Sequence, residues 1–140
     1  MLKIFFIALF TLVSLPSMAE QKQDFANLEV HYIALPSMFI EPSIAAQYGL
    51  KRSKHTGLVN ISVLDKNQQS MPIEAQLIGI GRNLIGQKQQ LTFKKIKEGK
   101  SIYYIAAYPF TNEEIVKFDV QIKTQDKTHR LKFEHKFYVE

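Results

Sequence analysis

Along most of this chain apolar and polar residues alternate with the two-residue period of a strand that buries one face. From Leu28 to Ile40 the text LEVHYIALPSMFI sets Leu28, Val30 and Tyr32 on one side, and Pro36 interrupts the run. Proline cannot donate to a ladder, so an edge strand, or two short pieces bent at Pro36, is expected here. Leu58–Asp65 turns Val59, Ile61 and Val63 inward and Asn60 and Ser62 outward. Two further strands are expected over Pro72–Ile80 and Leu91–Ile96, on either side of a glycine-containing link, GRNLIGQ. Ile102–Tyr108 is apolar on both faces, as a central strand would be. Of its tyrosines, Tyr103 and Tyr104 must point to opposite faces, which places at least one in the core. Val116, Phe118, Val120 and Ile122 alternate against Lys117, Asp119, Gln121 and Lys123, and the last run sets Leu131, Phe133, His135, Phe137 and Val139 against charged neighbours. About seven strands with turns at intervals of roughly 10–15 residues predict an all-β antiparallel sandwich of immunoglobulin-like character. One short helix is expected near residues 42–48, because Pro42 suits a first helical position and Gly49 the left-handed residue just past a helix end.

The first 19 residues follow a different pattern. Met1 and Lys3 precede an apolar run from Ile4 to Leu15, and Pro16, Ser17, Met18 and Ala19 place small residues before a cleavage after Ala19. That is a secretory signal peptide, and its run is shorter than the roughly 20 residues a membrane span needs. The expected domain is therefore residues 20–140, a single unit, with no transmembrane segment of its own. Removing Lys3 with the leader leaves 17 basic against 13 acidic side chains, a net charge of 17 − 13 = +4. So small an excess serves solubility more than it selects a partner. An exported domain has no expected role on nucleic acid. A chain of this size buries about two-thirds of its unfolded surface, enough for one core without staples. It has no cysteine, which removes disulfides, thiol chemistry, thiolate metal sites and a cysteine-linked lipid.

Motifs for catalysis or cofactors are missing. Gly99-Lys100-Ser101 ends like a phosphate-binding loop, but Lys94 stands where the motif needs its first glycine. Gly79, Gly81 and Gly86 have the wrong spacing for a dinucleotide loop, and Asn60-Ile61-Ser62, a glycosylation sequon in form, lies mid-strand. Neither a nucleophile elbow nor a zinc-protease helix motif occurs. Glu113 and Glu114 are adjacent and would point apart. The expectation is a protein that is not an enzyme and holds no cofactor.

The remaining chemistry is metal handling or binding. Copper takes His and Met ligands, and the chain offers His31, His55, Met38 and Met71, with His129 and His135 on one face of the last strand but roughly 20 Å apart. Whether the first four converge is a tertiary question. Lys94, Lys95, Lys97 and Lys100 read as a solvated sheet edge that discourages edge pairing. Lys51, Arg52, Lys54 and His55 are less routine, because they end a stretch, Glu41–Gly57, with little strand character. Loops that long in a small domain are often functional, and arginine suits bidentate anion recognition.

The segments VHYIALPSMFIEPSIAAQYGLKRSK (30–54), GLVNISVL (57–64), NLIGQKQQLTFKKIKEG (83–99) and SIYYIAAYPF (101–110) resemble a family of small exported proteobacterial proteins known only as domain-of-unknown-function family 4426. Tyr48-Gly49-Leu50-Lys51-Arg52-Ser53-Lys54 together with Tyr103-Tyr104-Ile105 is the most specific part. The resemblance implies a periplasmic setting and carries no activity, substrate or site. The leading expectation is a periplasmic, non-catalytic binding or accessory module for an unidentified protein or cell-envelope partner, acting as a monomer or weak dimer. Its candidate surface comprises His31, Pro36, Tyr48, Gly49, Lys51 and Arg52. The alternative is a His/Met copper-binding protein.

Overall fold

A computed structural model describes residues 20–125 and 127–139; the expected signal peptide lies outside them. Two antiparallel sheets face each other across an apolar core. One runs β1 (Gln21–Phe25), β2 (Leu28–Pro36), β3 (Thr56–Asp65), β8 (Ser101–Pro109), β7 (Lys94–Glu98), with the short β4 (Met71–Pro72) also paired to β3. The other runs β10 (Thr128–Phe137), β9 (Glu114–Lys123), β5 (Gln76–Asn83), β6 (Lys88–Leu91). The sandwich expected from the alternation is the fold.

The expected inward residues are inward. Val30 lies opposite Val63, Val120 pairs with Leu131 on one side and Gly79 on the other, and all five are buried. Between the sheets, Phe137 stacks on Phe110 with ring centres 4.7 Å apart and meets Phe118 edge-on at 6.2 Å. Burying each such ring contributes about 1.5–3 kcal/mol. Two glycines make room for the rings. A Cβ at Gly57 would collide with Phe137, and one at Gly81 with Tyr108.

Among the described residues the strands number ten rather than about seven, and each extra strand has a physical origin. Gln21–Phe25, read as a polar lead-in, is an outer strand paired only to β2, so it has little apolar surface to advertise. The run 72–80 is two strands in different sheets: Pro72 ends β4 without a donor, and the chain crosses to begin β5 at Gln76. The hydroxyl of the buried Tyr104 accepts from Ala75 N–H at 2.9 Å and pins that crossing. The run 91–96 divides in the same way, β6 ending at Leu91 and β7 starting at Lys94. The edge strand expected at 28–40 is also revised. β2 lies between β1 and β3 as far as Tyr32, and only Ile33–Pro36 runs past the end of β1. Ile102–Tyr108 does lie inside its sheet, between β3 and β7.

Candidate functional site

From Pro36 the chain leaves β2 and does not return to the sheet until Thr56. Pro36, at φ −62° and ψ 140°, leads into a 3-10 turn over Ser37–Phe39, and the helix α1 follows over Pro42–Tyr48. Pro42 stands in the first turn of α1, as expected. At the other end Gly49 adopts φ +66°, its N–H donates to Ala46 O at 3.3 Å, and Leu50 N–H donates to Ala45 O at 2.8 Å. This pair of backward bonds is the Schellman stop that glycine makes at low cost.

The segment is fastened at three places. Ser37 is fully buried; its hydroxyl donates to Ser53 O at 2.9 Å and accepts from Ser53 N–H at 2.9 Å, so one side chain closes both backbone groups of a residue sixteen positions away. The Arg52 guanidinium donates from Nε to Ile40 O at 2.8 Å and from Nη2 to Met38 O at 3.3 Å. Tyr48 hydroxyl donates to Glu98 Oε2 at 3.0 Å, which raises the phenol pKa, and the Lys94 ammonium donates to Tyr48 O, tying α1 to β7.

Pro36, Tyr48, Gly49 and Arg52 thus belong to one braced segment, and Lys51 is exposed upon it. His31 does not join them. It stands five residues up β2 from Pro36, roughly 17 Å by strand rise, and its Nε2 lies 2.8 Å from Glu29 Oε1. That hydrogen bond, with Lys22 at 3.5 Å adding to it, holds the Glu29 carboxyl below its usual pKa against the opposing effect of desolvation. The sequence missed Ser37, because its value lies wholly in a partner that only the fold brings near. It also missed the apolar cover: Met38, Phe39 and Ile44 are 41%, 46% and 43% exposed on the braced segment.

Two of the metal-ligand candidates, His55 and Met71, stand at opposite ends of β3. His55 precedes Thr56 at one end of β3 and has its Nδ1 3.3 Å from Phe110 O, whereas Met71 pairs with Asp65 at the other end. Among the described residues no three His, Asp or Glu side chains gather to hold an ion. A cleft of about 730 Å³ opens beside Leu28, Asp65, Ile73 and His129. Two of its polar groups are already engaged, Asp65 capping the turn at Asn67 and Glu74 held by Lys95 and Lys97, and the His129 ring lies 5.2 Å from Phe25. In the second basic cluster Lys95 and Lys97 converge on Glu74 at 3.1 and 2.8 Å, and the hydrogen bonds from Lys97 and then Lys95 hold its carboxyl down to about 2.

No curated protein matches the chain. Among solved structures, a copper-bound variant of FetP from uropathogenic Escherichia coli is similar over 84% of this chain and 93% of its own, with a TM-score of 0.61 and 15% identity. At that identity the likeness is one of fold. A DUF4426 family protein from Pseudomonas aeruginosa is similar over 86% of this chain and 96% of its own, with a TM-score of 0.77 and 30% identity. The family profile itself matches residues 22–140, the whole sandwich with both its sheets and the braced segment, and the chain therefore belongs to DUF4426, a domain of unknown function.

Proposed function

We propose that this protein is a periplasmic, non-catalytic binding module, an immunoglobulin-like sandwich that offers the segment Pro36–Arg52 to a protein partner of the cell envelope. The observation that carries the reading is the exposure of Met38, Phe39 and Ile44 on a segment tied down by Ser37, Arg52 and Tyr48. Apolar side chains on a braced backbone are preorganised, so a partner gains their burial without also ordering the loop. The short overhang Ile33–Pro36 beside the segment offers backbone groups for strand addition. Arg52 donates two of its five N–H groups to carbonyls of its own chain and acts as a fastener. Support for the periplasmic address comes from the amino-terminal pattern, and a FetP of similar fold was expressed in the periplasm. The non-catalytic reading rests on the sequence, which carries neither a nucleophile elbow nor a zinc-protease helix motif.

The test is photo-crosslinking in the periplasm from a probe at Lys51, read by mass spectrometry, with Phe39→Ser and Ile44→Ser as comparisons. One dominant partner, lost in both variants while their melting temperatures hold, supports the module. Capture that survives both substitutions refutes the surface. Stoichiometric copper uptake by the purified domain would favour the metal alternative instead.

A further inference from the structure

The hairpin between β5 and β6 ends in a turn that holds two aliphatic side chains away from the protein. Leu84 and Ile85 are 66% and 80% exposed, yet the backbone beneath them is braced. Asn83 N–H donates to Gln87 O and Gly86 N–H to Asn83 O, each at 3.1 Å. Gln87 N–H donates to Asn83 Oδ1 at 2.9 Å, and the Asn83 amide donates to Gln87 Oε1 at 2.7 Å and Glu114 Oε2 at 3.3 Å. Gly86 takes φ +83°. These bonds fix the backbone that presents the two side chains to solvent.

Directly behind the tip lies a row of cations. The register sets Lys88 opposite Arg82 on one side and Lys117 opposite Arg82 on the other. Gly81 faces the core, so Arg82 and its two partners share the outer face. Like charges directly opposite one another are unfavourable within a sheet, and among the described residues none of the three has a carboxylate within 4 Å. The acids nearby are Glu134, which continues the row beyond Lys117, Asp119, which lines the same groove but pairs with Arg130 at 3.1 Å, Glu114, which accepts from Asn83, and Glu113 in the preceding turn. The row sits two residues down the strand from Leu84, about 7 Å at strand rise.

We propose that this hairpin tip is a membrane-surface anchor selective for anionic phospholipid. Leu84 and Ile85 enter the boundary between headgroups and acyl chains, and Lys88, Arg82 and Lys117 meet the phosphates. The order of layers favours lipid over an acidic protein surface. A tip that penetrates about 5–10 Å brings a row set about 7 Å behind it to headgroup depth, whereas a protein with surface acids would be met by cations at the front. Two aliphatic side chains and three cations give weak, reversible attachment, as single-signal anchors do. The inference does not rest on the reading of residues 36–52.

The chain contains neither tryptophan nor cysteine, so Leu84→Trp provides a single indole fluorophore at the tip. The exported protein should float with vesicles of mixed phosphatidylglycerol and phosphatidylcholine and not with phosphatidylcholine alone, and the emission of the introduced indole should shift to the blue on binding. Leu84→Ser with Ile85→Ser should lower partitioning at least about tenfold at an unchanged melting temperature, consistent with loss of two buried side chains. Arg82→Gln with Lys88→Gln should remove the preference for anionic vesicles, as should high salt, which shortens the screening length from about 10 Å at 0.1 M to about 3 Å at 1 M. Equal partitioning to both vesicle types, no blue shift, or binding that survives the paired serine substitutions would overturn the assignment. So would affinity for an acidic protein without affinity for vesicles.

Discussion

Ser37→Ala isolates the staple on which the candidate surface depends. The substitution removes one oxygen from a fully buried position and leaves the Cβ in place, so packing changes little. It deletes two hydrogen bonds of 2.9 Å, one to Ser53 O and one from Ser53 N–H. A net hydrogen bond is worth about 0.5–1.5 kcal/mol, and an orphaned buried group costs more. Ser53 is half-buried, so water restores part of the loss, and the sum comes to about 2 kcal/mol. For a domain of this size each kcal/mol moves the melting point by about 3–5 °C, which gives a fall of about 6–10 °C by calorimetry. Amide exchange locates the effect: Ser53 N–H should lose protection while Val59, Ile61 and Val63 on β3 lose none beyond the global change. Ser53→Ala is the control, because its own hydroxyl accepts only a 3.3 Å bond from His55 N–H and its backbone keeps the staple. A Ser37→Ala protein within about 0.5 kcal/mol of the parent, or with Ser53 still protected, would show that the segment is held by something else.

Gly57→Ala forces a Cβ into the Phe137 ring and should cost about 1–3 kcal/mol by overpacking; Phe137→Leu in the same chain should recover part of it, and strict additivity in the double-mutant cycle would contradict the packing. Arg52→Ala removes two exposed hydrogen bonds and should cost about 1 kcal/mol, with faster amide exchange confined to residues 38–52. Desolvation depresses the His135 pKa, so below its ordinary value near 6.5 the unfolded chain takes up a proton more readily than the folded one. Stability should therefore decline as pH falls from about 6.5, and His135→Phe should flatten that slope in melting curves taken between about pH 8 and pH 5. Glu74 behaves in the same sense at lower pH: its ion pairs with Lys97 and Lys95 contribute above about 4.5 and are lost as pH falls toward its folded value of about 2. The group is exposed and screened by solvent, so Glu74→Gln should leave the melting point at neutral pH almost unchanged.

What the sequence made legible was each strand's own periodicity, and what it withheld was everything decided between strands. Val116 to Ile122 could be read because each inward residue is apolar and each outward one is not, whatever lies alongside. The run 72–80 could not be divided, because Pro72 and Gln76 belong to different sheets while the apolar positions continue across the crossing without a break. Gln21–Phe25 offered no alternation because an outer strand paired on one side has little to bury. The helix at 42–48 was legible for the opposite reason, since its start and stop are local: a proline that needs no donor and a glycine at positive φ. Of the candidate surface, Tyr48, Gly49 and Arg52 stood out in the sequence, but Ser37 did not, and His31 was joined to them only by proximity in the chain. The cations behind the β5–β6 turn make the same point most plainly. Lys88, Arg82 and Lys117 are three ordinary basic residues until the register places them in one row, where like charges directly opposite one another cost stability.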